Sequence, residues 1–257
     1  MQPLITIFGQ EVSTYFLMIM IGYGAGLFVV LHQSKINSML KTDALVAYIL
    51  AGFGALIGGK LFFVIQGIST FIELNQTTGL SFLDFFTNAG LVYYGGFIGA
   101  VLMVMLFSLL FKIRFWTVID TLIPALPLAQ AFGRVGCFLA GCCYGVPHEH
   151  GVLFPFSDTP LLPTQLYETA CVTVLFVIMM VYGKQPRRPG KLLGMYMIGY
   201  GIIRFVLEFF RGDEIRGFAG GLSVSQWISI AVLAAGVILF FFYKPATKKT
   251  QQPLTAS

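Results

Sequence analysis

Apolar runs of about 20 to 25 residues, each bounded by charged or turn-forming segments, recur along the chain and set its architecture. They fall at residues 12–32, 44–66, 89–111, 116–140, 164–183, 192–210 and 223–243. A helix needs roughly 20 apolar residues to cross the hydrocarbon core, so each run can span a bilayer with some tilt. The pattern predicts an all-α, polytopic integral membrane protein with seven transmembrane helices. Between the second and third runs, LSFLDFF (80–86) is too short to cross and reads as an interfacial helix on the outer surface. Residues 1–243 read as a single transmembrane domain, and the polar stretch 244–257 as a disordered cytoplasmic tail. No repeat of 20–50 residues is evident, and neither is the inverted repeat usual in transporters.

Composition strengthens this picture. Of the 257 residues 57% are hydrophobic and 11% charged, whereas a soluble domain carries about 45–50% and about 25%. That excludes a disordered chain, a nucleic-acid module and a disulfide scaffold as the main reading. The net charge of +5 is unevenly placed. Eleven of the 16 Lys and Arg residues lie in alternate connectors, around Lys35 and Lys41, Lys112 and Arg114, Lys184 to Lys191, and Lys244 to Lys249. The positive-inside rule puts those segments in the cytoplasm, the N-terminus in the periplasm and the C-terminus in the cytoplasm. That arrangement needs an odd number of spans, which seven satisfies. The segment before the first span has no Lys or Arg, so it lacks the basic region of a secretory signal peptide and is expected to be retained.

Three cations remain inside spans: Lys60, Arg134 and Arg204. A charge at such a position costs at least ~2.5–3.5 kcal/mol on insertion scales and usually faces a cavity and a partner. With the orientation above, all three lie within roughly 10 Å of the outer interface, Arg204 a little deeper. Together they form a field for an anion in the outer leaflet. On the sixth span Tyr200, Arg204, Glu208 and Arg211 fall within about 80° of one another. The bland alternative is a self-neutralising Arg204–Glu208 pair at i, i+4, but one glutamate cannot neutralise three cations. Arginine grips phosphate bidentately, so phosphate is the expected target. Tyr15, Tyr94-Gly95-Gly96 and Thr164 through Glu168, with Gln165 among them, gather at the same level, although a lone tyrosine there is ordinarily a belt anchor. Asp120, near the inner end of the fourth span, reads as structural, a charge at a helix N-terminus.

Cys137, Cys142, Cys143, His148 and His150 crowd the outer end of the fourth span and the loop after it. Their spacing, C-x4-C-C-x4-H-x-H, is not that of a zinc finger or ribbon, and no metal site is assigned. Packing, a disulfide, a metal ion, and a thiol or His148 acting as base or nucleophile stay open. Cys171, inside the fifth span, is expected to be buried packing.

Several segments resemble the bacterial prolipoprotein diacylglyceryl transferases. GRVGCFLAGCCYG (133–145) is similar to that family's signature, and YGIIRFVLEFFR (200–211) to its Tyr-Gly-x-x-Arg-x-x-x-Glu-x-x-Arg helix. PTQLYE (163–168), Tyr15 and LSVSQ (222–226) follow in order, so the resemblance covers nearly the whole chain. It implies transfer of the diacylglyceryl group of phosphatidylglycerol to the lipobox cysteine thiol of a prolipoprotein, with release of glycerol 1-phosphate. By this resemblance Arg134 and Arg204 hold the phosphate, Tyr200 and Glu208 orient the arginine, Tyr15 lines the lipid pocket, and Gly145 carries over by position. Lys60 stands where the family commonly has Arg. Tyr94-Gly95-Gly96 replaces a usual His-Gly-Gly, Cys137 replaces an Asn, and Cys142 stands at an acidic position. A tyrosine of pKa near 10 is a poor base for the incoming thiol. The resulting expectation names Arg134, Arg204, Tyr94 and Cys137 as catalytic. It names Tyr15, Lys60, Gly145, Gln165, Tyr200, Glu208 and Arg211 as substrate-binding. No cofactor and no nucleic acid is expected. The partners are phosphatidylglycerol and a prolipoprotein signal peptide, and the site belongs to a monomer in the bacterial inner membrane, facing the periplasmic leaflet. The alternatives are the same lipid site with another acceptor, or a non-catalytic lipid-binding or lipid-moving relative.

Overall fold

The computed structural model describes residues 4–7, 9–79, 81–87, 90, 92–185, 187–212 and 217–243. A hairpin of β1 (Leu4–Ile7) and β2 (Gln10–Ser13) leads into α1 (Thr14–Ile36) and α2 (Lys41–Gln66). Two short helices, α3 (Ile68–Thr78) and α4 (Phe82–Thr87), precede α5 (Tyr93–Leu110). The chain continues through α6 (Phe115–Leu122), α7 (Ala125–Ala140), β3 (Pro147–Val152), α8 (Thr164–Tyr182) and α9 (Lys191–Leu207). The small hairpin of β4 (Phe218–Ala219) and β5 (Leu222–Ser223) then delivers α10 (Val224–Val237).

Six helical stretches are long and apolar enough to cross a membrane, and α5 is a shorter apolar helix. Between 17% and 33% of each long stretch is buried inside the protein, so most of its apolar surface faces outward. Phe28, Leu109, Val174 and Phe242 are among the large side chains on that surface. In water such a surface would be untenable; against lipid it is the natural boundary of a bundle. The chain is a polytopic helical membrane protein.

Local chemistry shapes the spans. The expected fourth span (116–140) is a single crossing of two helices, α6 and α7, because Pro124 cannot continue the ladder of α6. The sixth ends as a helix at Leu207 and tightens into a 3-10 turn, Glu208–Phe210. The seventh ends in a π-helical turn, Ile238–Phe242. Both α3 and the N-terminal hairpin are additions to the expected elements. The expected interfacial helix is present as α4, starting after Leu80, which lies outside the described residues. Ala89 and the 244–257 tail lie outside them too.

Packing divides the molecule into two ends. The main apolar cluster, with Val30, Phe107, Val118, Met179 and Leu192, gathers at the C-terminal ends of α1, α5 and α8 and the N-terminal ends of α6 and α9. Midway along, Tyr23 and Tyr48 stack with ring centroids 4.5 Å apart. Each hydroxyl donates to the other's backbone carbonyl, at 3.1 and 2.8 Å, which satisfies both groups between α1 and α2. Also at the apolar end, Asp120 accepts a hydrogen bond from the Gly190 N–H at 2.9 Å and so caps the N-terminus of α9. The opposite end, where α1 starts and α7 and α9 finish, is polar.

Candidate active site

The polar end is built by α1, α7, α8 and α9. Helix α7 lies close against α1 because Gly136 leaves room: a Cβ there would stand 3.2 Å from the Cα of Tyr15 and 3.1 Å from the Cβ of Met18. This brings Tyr15 beside Arg134 and the cysteines that follow it. On α7, Arg134 and Cys137 are three residues apart and share a face. Arg134 Nε lies 3.0 Å from Glu168 Oε1 of α8, with the glutamate side chain 4% exposed and the arginine 21%. Arg204 Nη2 lies 2.7 Å from Glu208 Oε2. Tyr200 stands within electrostatic reach of both arginines.

The site therefore holds two arginine–carboxylate pairs. The balance is shared by two glutamates rather than one: Glu168 sits in the first turns of α8 and is as buried as Glu208. An acid embedded in an apolar run is as costly as a cation. Charge is not exhausted by these pairs: Nη1 of Arg204 is buried without a hydrogen-bond partner among the described residues, a donor suited to an anionic oxygen.

Arg211 departs from its expected place. Four residues on one continuous helical face would require α9 to run through position 211, but the helix tightens after Leu207 and Arg211 adopts extended backbone, φ −87° and ψ 136°. It forms an antiparallel bridge with Gly145 and stays within electrostatic reach of Arg204 and Cys143. Gly145 serves by being small. A Cβ there would run into the Phe210 carbonyl oxygen and stand 2.7 Å from Thr164 Cγ2. Its N–H donates to Leu162 at 2.8 Å, and the Val146 N–H to Phe210 at 3.0 Å, so the outer loop is stitched across the end of α9.

The cysteine–histidine group separates. Cys137, Cys142 and Cys143 bring their sulfurs within 4.8 Å of one another. His148 and His150 lie on exposed β3, where the His150 N–H donates to His148 Nδ1 at 3.1 Å. A left-handed turn at Gly141 (φ +75°) ends α7, and Cys143 also takes a positive φ of +64°. Only strong surroundings keep a non-glycine residue there. They are visible: Gln165 Nε2 donates to the Cys142 carbonyl at 2.6 Å and Thr164 Oγ1 to the Cys143 carbonyl at 3.0 Å. Hydrogen bonds from the Cys137 and Cys142 thiols hold the Cys143 thiol well below the ordinary range, and the Arg211 and Arg134 guanidiniums act in the same direction. Cys171 is not buried packing; it lies on the outer face of α8, where it meets lipid rather than core.

Lys60 and Tyr94 stand on the pair α2 and α5. Lys60 Nζ donates to the carbonyls of Phe86 and Thr87, at 3.1 and 2.7 Å, and so anchors the end of α4. Tyr94 is half-exposed at the start of α5, whose principal partner is α2. Two side chains given no role by the sequence complete the polar end. Ser223 Oγ donates to Glu208 Oε1 at 2.9 Å and caps α10, and Gln226 closes the capping box.

Residues 2–242 match the family model described as prolipoprotein diacylglyceryl transferase. Among curated relatives, the phosphatidylglycerol–prolipoprotein diacylglyceryl transferase 2 of Clostridium perfringens (strain 13 / Type A) is 36% identical over 250 residues, covering 95% of each chain. The enzyme of the same name, without the numeral, from Clostridium tetani is 35% identical over 93% of this chain and 97% of its own. That of Nitrosomonas europaea is 32% identical over 90% and 85%. The chain belongs to the prolipoprotein diacylglyceryl transferase family.

Proposed function

We propose that the protein transfers the diacylglyceryl group of phosphatidylglycerol to the lipobox cysteine thiol of a prolipoprotein, in the maturation of bacterial lipoproteins. The observation that carries this reading is the corner where Arg134, Arg204 and Arg211 converge beside Tyr200, with two glutamates to orient them. The donor phosphate sits against these guanidiniums. As the carbon–oxygen bond to phosphate breaks, negative charge grows on the departing oxygen, and donors already in place stabilise it without reorganisation. Glu168 and Glu208 hold the arginines in register, and Ser223 holds Glu208. Tyr15, on the face of α1 against α7, lines the path of the lipid. The polar end faces the periplasmic leaflet: seven spans, α5 included, put the N-terminus outside and the Lys/Arg-rich connectors inside. Residues 1–243 act as one domain and as a monomer in the inner membrane, and the recognised acceptor is the lipobox segment of the signal peptide.

The test is twofold. Wild-type protein rescues growth of a strain depleted of its own diacylglyceryl transferase, and Arg134→Ala does not. Purified protein given phosphatidylglycerol and a lipobox peptide forms a thioether lipid. Absence of that product, under conditions where an active relative makes it, would refute the reading. A second reading keeps the donor and changes the acceptor; the replacements at Tyr94 and Cys137 favour it, and mass spectrometry of lipid products from cells expressing the protein distinguishes the two.

A further inference from the structure

We infer that Cys137, Cys142 and Cys143 form a three-thiolate site for a soft divalent metal ion, zinc by chemistry, whose fourth position receives the thiol of the acceptor. The inference rests on the transfer reading above and supplies what that reading lacks, a group that generates the nucleophile.

Three observations carry it. The sulfurs lie within 4.8 Å of one another, and sulfurs bound to one tetrahedral zinc at ~2.3 Å stand about 3.8 Å apart. Closing that difference takes side-chain rotation of about 1 Å or less. Three thiols form the group found among the described residues, and three protein ligands with the fourth position given to substrate is the arrangement of catalytic rather than structural zinc. The gathering is also held by the fold. Cys137 comes from the last turns of α7, while Cys142 and Cys143 are folded back over it by Gly141 and by a strained positive φ at Cys143. Gln165 and Thr164 of α8 pin both loop carbonyls.

The position fits the chemistry. Cys137 shares a face of α7 with Arg134, and Cys143 lies within electrostatic reach of Arg134 and Arg211. Three thiolates on a divalent ion carry one net negative charge and a fourth makes two; the guanidiniums offset it. The three residues grade from buried Cys137 through intermediate Cys143 to exposed Cys142, so the cluster reaches from the interior to the surface.

In the reaction the acceptor thiol enters the fourth position and its proton leaves to solvent, because a coordinating thiol is deprotonated. The thiolate sulfur forms a bond to the glyceryl carbon as that carbon's bond to the phosphate oxygen breaks. The electron pair stays on the oxygen, and glycerol phosphate departs against the arginines. Nothing is oxidised or reduced. The metal thus does the work for which Tyr94 is ill suited.

The test uses the full-length protein purified under reducing conditions in micelles containing phosphatidylglycerol. Zinc is counted by mass spectrometry, and cobalt(II) is titrated into metal-stripped protein while thiolate-to-cobalt absorption is recorded. About one zinc per chain is expected for wild type and for Cys171→Ser. Metal affinity falls at least about tenfold in Cys137→Ser and in the Cys142→Ser/Cys143→Ser double variant. A lipobox peptide shifts the cobalt spectrum and the same peptide with serine in place of cysteine does not. Chelation stops thioether formation and zinc restores it. Failure of reduced wild type to take up zinc or give a cobalt–thiolate band overturns the proposal without depending on whether any variant folds. Undiminished thioether formation in chelator overturns it too. A peptide-dependent cobalt shift without thioether product would uphold the thiol-binding metal site and refute the transfer reading.

Discussion

Two pairs of helices in this protein solve the same packing problem by opposite means. Helices α2 and α5 meet through bare backbone: Gly54 and Gly58 face Gly95 and Gly99, and a Cβ at Gly58 would strike the Gly95 carbonyl and stand 2.9 Å from the Gly99 Cα. Small residues spaced by four let two helices touch in lipid, where no hydrophobic drive pushes them together. Helices α7 and α8 meet through side chains that lipid would reject, Arg134 on Glu168 and the thiol-bearing loop on Gln165. The first pair gains association from close van der Waals contact. The second holds groups whose burial is costly unless every partner stays in place, which is the condition under which a site is both fragile and reactive. Arg134, Glu168 and the three clustered thiols gather at the polar pair, and Lys60 and Tyr94 stand on the other.

The sharpest way to break this contrast is Arg134→Ala. It removes the guanidinium proposed to hold the phosphate and strands buried Glu168, so thioether formation should drop by about 10²–10³-fold and stability by about 3–5 kcal/mol. A paired Arg134→Met/Glu168→Leu variant should recover most of the stability, measured by thermal unfolding in detergent, and none of the activity. If the double variant stays as unstable as the single, the pair is not what holds α7 to α8. Next in size is Gly99→Leu, whose side chain has nowhere to go against the Gly54 carbonyl. It should destabilise by about 1–3 kcal/mol, while the folded fraction keeps its specific activity. Ser223→Ala removes both the cap of α10 and the hydroxyl on Glu208, which should cost about 0.5–2 kcal/mol. It should also weaken phosphatidylglycerol binding more than Ser223→Thr, which keeps the hydroxyl. Smallest is Tyr94→Phe. Tyr94 is half-exposed on the α2–α5 pair, so losing its hydroxyl should change product formation by no more than about twofold; a loss near that of Arg134→Ala would place Tyr94 in the chemistry and undo the contrast between the two helix pairs.

Particular residues show what was legible in the chain. The apolar runs predicted the long helices to within a few residues, and Arg134, Arg204 and Glu208 stood out because charge in an apolar run is conspicuous. Glu168 shows only as the end of the polar Thr164–Glu168 stretch, because nothing along the chain says which arginine it meets. Arg211 was misplaced because helical periodicity was extended past Leu207, and no feature of EFF announces a 3-10 turn. His148 and His150 were grouped with the thiols by sequence distance, yet an extended β3 carries them out over an exposed surface.

By itself the sequence determined the membrane class of the protein, the extent of its helices and the family to which it belongs. Those properties are local: hydrophobic length, charge and motif spacing are written along one dimension. Tertiary structure alone decided which carboxylate meets which arginine, that three of five thiol and imidazole groups converge, and that Lys60 turns to main-chain carbonyls. Such choices depend on how closely helix faces approach. In this protein that is set by glycines at contacts such as Gly136 against Tyr15, whose partners lie more than a hundred residues away in the chain.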